Sequence, residues 1–204
     1  MKTLQILIVA STLLSLPASK AGAADALRPD SDGYIRHWLM LAPIALRGGD
    51  TPAEAILKDQ ITDEAALRPR AGDKVKVGGK ELVWEPITAA TNYFDINATL
   101  KTLNDQAAGY MVTYIGCDAE MPDVIMAVAS NDQGRIYFNG VDIYAVTEAR
   151  QLTLNGDKGR VTLKKGTNVI VFKIINEQNS WQGAMRLLDK AGAPLKNVRI
   201  QLSP

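Results

Sequence analysis

From residue 74 onward the chain alternates apolar and polar residues with a period of two, in short runs that end in residues suited to tight turns. Asn131-Asp132-Gln133-Gly134, Asn139-Gly140, Asn155-Gly156-Asp157, Lys165-Gly166 and Gly192-Ala193-Pro194 are such endings. Gly and Asn tolerate positive φ, and Asn and Asp bond their own backbone, so each cluster reverses or redirects the chain. Strand-length runs lie between them: Tyr110 to Cys117, Val124 to Ser130, Arg135 to Asn139, Val141 to Tyr144, Arg160 to Leu163, Asn168 to Ile175, Trp181 to Leu188 and Val198 to Leu202. Lys74 to Val77 and Lys80 to Trp84 flank Gly78-Gly79, a two-residue hairpin connection. Many short strands with almost no helical period between them predict an all-β fold, an antiparallel sandwich or barrel.

The alternation also assigns faces. Ile136 and Phe138 fall on one side of their strand and leave the other side wet, whereas Val169 to Phe172 is apolar on both sides and reads as a central strand. A charge placed at Phe138 or Phe172 should therefore unfold the protein. Tyr34 to Ile44 reads as a buried strand that stops at Pro43. Thr51-Pro52-Ala53-Glu54 combines a capping hydroxyl, Pro at the first helical position and a Glu three residues on, which predicts a short peripheral helix. One or two such helices fit the long connections at 45–73 and 87–108.

The N-terminus reads differently. Lys2, the apolar run Leu4 to Leu16 and the small residues Ala21-Gly22-Ala23 form the pattern of a signal peptide over residues 1–23, with cleavage after Ala23. The run is too short to span a bilayer, so no integral membrane segment is expected after cleavage. Residues 24–33 read as a tether, residues 34–204 as a single β-sandwich domain, and the location as periplasmic or secreted. The whole chain has 23 basic and 22 acidic residues, and removing Lys2 and Lys20 leaves 21 against 22, so nothing marks a nucleic-acid partner. One Cys and one His offer neither a zinc cluster nor an intrachain disulfide. Cys117 then reads as a small buried residue, and His37 as a core or boundary histidine.

The segments SNDQGRIYFNGVDIY (Ser130 to Tyr144), VTLKKGTNVIVFKIIN (Val161 to Asn176) and WQGAMRLLD (Trp181 to Asp189) resemble the C-terminal half of galactose-binding-like jelly-roll domains. Trp38 to Ile44 looks like the strand that opens many of these domains, with Ala42 and Ile44 departing from its pattern. The resemblance covers roughly residues 34–190. It implies a jelly-roll sandwich that acts as a carbohydrate-binding module and permits a structural calcium; the residues themselves mark no cofactor.

Three roles follow as expectations. The first is an exported, non-catalytic binding or accessory module, with carbohydrate as its partner. Sugars are held by an aromatic plate with amide and carboxylate hydrogen bonds, which nominates Trp84, Tyr137, Tyr144 and Trp181 together with Asn131, Asp132 and Asn139. Alternation places Trp181 with Met185 and Leu187, so core and platform compete for it. The second is a structural or protein-interaction subunit of an exported assembly. The third is a carboxylate-dependent glycoside hydrolase, for which no pair of carboxylates is marked and no catalytic residue is nominated. Asp30-Ser31-Asp32-Gly33 begins like a calcium loop but lacks the later Glu. Asn97-Ala98-Thr99 matches a glycosylation acceptor.

Overall fold

The computed structural model describes residues 26–204; the signal-peptide assignment and the first two residues of the tether lie outside them. Among the described residues the chain forms thirteen strands and two short α-helices. In order they are β1 (His37–Ala45), α1 (Pro52–Ala55), β2 (Lys74–Val77), β3 (Lys80–Val83), β4 (Glu85–Thr88), β5 (Phe94–Asp95) and α2 (Ile96–Leu100). They continue as β6 (Ala107–Cys117), β7 (Met121–Asn131), β8 (Gln133–Phe138), β9 (Val141–Val146), β10 (Asp157–Leu163), β11 (Gly166–Asn176), β12 (Gln182–Leu188) and β13 (Arg199–Gln201).

The result is an antiparallel β-sandwich. The large sheet runs β4-β1-β6-β11-β8-β9, with β13 beside β6, and the small sheet runs β10-β7-β12-β5. Trp38, Phe94, Phe172, Trp181, Met126 and Met185 fill the space between them. Phe94 sits edge-on to both Trp38, at 5.5 Å between ring centroids, and Phe172, at 6.1 Å. Trp181 donates its indole N–H to Ile174 O at 3.3 Å and Trp38 to Ile35 O at 3.0 Å, so neither ring buries an unpaired donor.

The large sheet is covered on its outer face as well. Residues 46–84 fold back over it as α1, a 3₁₀ turn at Glu64–Ala66 and the β2-β3 hairpin. Ile56, Ile61 and Trp84 from this cover pack on Leu41, Tyr110, Val112, Val169 and Val171 of the sheet. Every residue of β6 is buried, which is why its sequence is apolar without alternation.

Local signals hold up well. Thr51 and Glu54 form the expected capping box, with Thr51 N donating to Glu54 Oε2 at 2.9 Å. Gly78-Gly79 and Asn139-Gly140 take the positive φ values that their hairpins require.

Two expectations change. β1 continues through Pro43 to Ala45, because its pairing with β6 shifts between Leu41 and Ile44 and Pro43 sits in that bulge, where its missing N–H breaks no ladder bond. The wet face of β8 is not wet, since the cover lies on Tyr137 and Arg135 donates to Ile56 O and Leu57 O. The α1 helix lies in the cover on the outside of the large sheet, with Ala55 and Ile56 on its buried side. Asn131 to Gly134 redirects the chain as its turn chemistry implies, carrying it from β7 in the small sheet to β8 in the large one.

Candidate functional site

That sheet-to-sheet corner shapes a polar cleft of about 520 Å³. Asn131 ends β7, and Asp132 is anchored on both sides: its N–H donates to Ile175 O at 3.1 Å and its Oδ2 accepts Glu177 N–H at 2.9 Å. Burial pushes the Asp132 carboxyl above its ordinary range, and the neighbouring Glu177 charge adds to this, while the Glu177 amide pulls the other way. Gln178, Asn179 and Ser180, just before β12, and Arg150 and Gln151, between β9 and β10, form the walls, with Gln182 on β12.

Arg150 ties the two sheets together behind this cleft. Its Nη2 donates to Ser130 Oγ at 3.0 Å on β7 and to Tyr144 OH at 2.5 Å on β9, and its Nη1 lies 2.7 Å from Asp157 Oδ2 on β10. Tyr144 OH in turn donates to Asp157 Oδ2 at 2.8 Å. Burial first, and the bond to Asp157 second, push the Tyr144 hydroxyl up to about 12. Tyr144 is thus half-buried and committed as a donor, leaving its ring as the part open to contact.

The chemistry of the walls is amide-rich. Each carboxamide of Asn131, Gln151, Gln178, Asn179 and Gln182 offers two donors and an acceptor, matching a hydroxyl that both gives and receives. Gln182 spends one donor on Asp95 Oδ2 at 2.9 Å. Among the described residues the buried Asn131 Oδ1 and Arg150 Nε have no hydrogen-bond partner.

Of the residues nominated from sequence, the structure brings Asn131 and Asp132 into this cleft and Tyr144 against its rear wall. The others lie elsewhere. Trp181 is in the inner core, and Trp84 and Tyr137 are under the cover, all at 4% exposure or less. Asn139 serves its turn, donating to Asn168 Oδ1 at 2.9 Å and accepting Val169 N–H at 2.8 Å. No nominated aromatic forms an open plate; the cleft is built from amides instead.

Sequence reasoning missed Arg150, Gln151, Asp157 and Gln178 to Ser180, all in connections or at a strand end, where no periodicity marks them. It also missed a buried polar cluster. Glu64 of the 3₁₀ turn accepts Tyr137 OH at 3.0 Å, Gln60 N–H at 2.6 Å and the hydroxyl of Tyr110, and it faces Lys173 of β11. Lys173 Nζ also donates to Ala55 O at 2.9 Å and Lys58 O at 2.6 Å. The one available signal was a Lys in the middle of VIVFKII, a run otherwise apolar on both faces. With every member buried, the cluster fastens the cover to the sheet and is closed to any ligand.

The remaining motifs have structural employment. Asn97 is buried in α2, donating to Asn179 O at 2.7 Å, and is inaccessible as a glycosylation acceptor in the folded chain. Asp30 Oδ1 accepts the amides of Asp32 and Tyr34 and closes its own turn. His37 Nδ1 pairs with Thr88 Oγ1 at 3.0 Å at the sheet boundary, and Cys117 is a buried thiol, pushed up by that burial. Among the described residues no group of three or more His, Cys, Asp or Glu is placed to hold a metal, and no helix is long and apolar enough to cross a membrane. No protein-family model and no curated protein matches the sequence.

Proposed function

We propose that the protein is an exported, non-catalytic binding module, akin to galactose-binding-like jelly rolls, that holds carbohydrate in the cleft between Asn131, Arg150 and Gln178. The amide-rich wall carries this reading. Neutral carboxamides surround one buried carboxylate and one guanidinium already paired with Asp157, which suits a polyol better than an ion or an apolar ligand. The cleft is of ligand size, and Leu152 adds an apolar edge to its polar walls.

A glycan array probed with the purified protein, with and without calcium, tests the proposal. The expected result is retention on a defined glycan class, at least tenfold weaker for the Gln151→Ala, Gln178→Ala double variant. Absence of binding to every glycan, together with a stable complex with a protein partner, would replace this reading with that of an interaction subunit.

A further inference from the structure

The carbohydrate cleft adjoins a second polar depression, and the strand register lines the two up. Asn131 on β7 pairs with Gln182 on β12, and Gln182 pairs with Asp95 on β5, so the three stand side by side across the small sheet. Gly183 and Phe94, one residue away, face the core, which turns this row to the outer face. Asn131 and Gln182 line the cleft, whereas Asp95 lines the second depression, of about 560 Å³, with Ala98 of α2 and Lys101 and Thr102 just after it. Asn179 and Ser180, both exposed, line both. Gln182 Nε2 donates to Asp95 Oδ2 at 2.9 Å, so a hydrogen bond joins the two linings.

The row sets the reach of the site. Neighbouring strands are about 5 Å apart, so Asn131 and Asp95 are separated by about 10 Å, the length of two linked pyranose rings. A single sugar held at Asn131 and Arg150 leaves Asp95 and Thr102 out of reach. The chemistry is continuous along the row. At its start the buried Asn131 Oδ1 has no hydrogen-bond partner among the described residues. At its end the Asp95 carboxylate is held in place, Oδ1 accepting Ala98 N–H at 2.8 Å and Oδ2 accepting Gln182, and each oxygen keeps a second lone pair for a sugar hydroxyl.

We infer that the two depressions form one groove that binds a linear polysaccharide chain, with one sugar at Asn131 and Arg150 and the next between Asp95 and Thr102. This rests on the carbohydrate reading and names its substrate class: a chain, held across three strands, and not a single terminal sugar.

Isothermal titration of the whole protein with glucose, galactose and mannose, and with a linear tetrasaccharide of each, tests the inference. A tetrasaccharide is expected to bind at least tenfold more tightly than its monosaccharide. In carbon-13 methyl NMR it is expected to shift the Ala98 and Thr102 methyl signals, which the monosaccharide leaves in place. Ala98→Leu fills the second depression from an exposed position of α2 without removing a hydrogen bond. It is expected to keep the melting temperature and monosaccharide affinity of the wild type and to lose the tetrasaccharide advantage. Tetrasaccharides that bind no better than the monosaccharides, a bound tetrasaccharide that leaves Ala98 and Thr102 unshifted, or an Ala98→Leu protein that keeps the advantage overturns the groove. The carbohydrate reading survives each of these results if the glycan array shows retention, and a blank array removes both.

Discussion

Lys173 Nζ stands 3.0 Å from Glu64 Oε1, and neither side chain exposes any surface to solvent. The pair joins a strand in the centre of the large sheet to the 3₁₀ turn of the cover. Lost hydration is offset because both partners are fully occupied: Lys173 reaches the carbonyls of Ala55 and Lys58, and Glu64 receives Gln60, Tyr110 and Tyr137. Breaking the pair from one side leaves a buried charge alone. Glu64→Leu and Lys173→Met should each cost about 3–5 kcal/mol in urea denaturation, and the Glu64→Leu, Lys173→Met protein should lose clearly less than the sum of the single changes. Strict additivity would show that the two groups do not interact.

Alkaline pH should weaken the fold through its buried tyrosines. Burial holds the hydroxyls of Tyr114 and Tyr144 up at about 12, whereas an unfolded tyrosine ionises near ~10. Between those values the native chain keeps protons that the unfolded chain has released, so stability is intact below about pH 10 and falls as pH rises toward 12. The urea midpoint followed from pH 8 to 12 should decline above 10, and Tyr114→Phe and Tyr144→Phe should each make the decline shallower. An unchanged slope in both variants would assign the loss to other groups.

Gly183 on β12 faces the inner core, where a Cβ would come within 2.5 Å of Phe94 Cζ and 2.6 Å of Ile174 Cδ1. Both neighbours sit in the packed interior with little room to yield. Gly183→Ala should therefore destabilise the protein by about 1–3 kcal/mol, where an exposed strand glycine would gain from the same change. Thermal denaturation compared with Gly159→Ala, which adds its methyl to open space, separates crowding from backbone entropy.

Asp132 should respond in the opposite sense to most carboxylates. Its folded value is raised by burial, so the native chain holds its proton to higher pH than the unfolded chain, and this group makes stability fall as pH rises through that window. The Asp132→Asn change removes the ionisation, while the amide oxygen it introduces still accepts the Glu177 N–H. This variant is expected to be as stable as the wild type or more so at pH 7, with the difference shrinking toward pH 4. A clear loss at pH 7 would show that the charge itself is needed at the corner.

The turn chemistry and most of the strands were legible in the sequence because they are local, while β4 and β5, short and lying next to or inside the connection read at 87–108, were not. Asn139-Gly140 and Gly78-Gly79 need positive φ whatever surrounds them, and Thr51 and Glu54 cap α1 within four residues of each other. The central position of β11 was legible too, since a strand buried on both faces has no polar side to show. The site was legible only in part. Asn131 and Asp132 stood out as turn residues, but Gln151 and Gln178 lie in connections whose positions depend on where β9, β10 and β12 pair.

Residue order alone was enough to mark this chain as an all-β protein of short strands, to place its tight turns and to read β11 as apolar on both faces, because backbone φ preference and side-chain alternation act over a few residues. Long-range packing then settled that residues 46–84 cover the large sheet, that Asn131-Asp132 crosses between sheets, and that Trp84 and Tyr137 lie under the cover and Trp181 between the sheets. Separation along the chain accounts for the division. Glu64 and Lys173 meet across 109 residues, and the desolvation that makes such a contact favourable exists only after the sheets and their cover have closed over it.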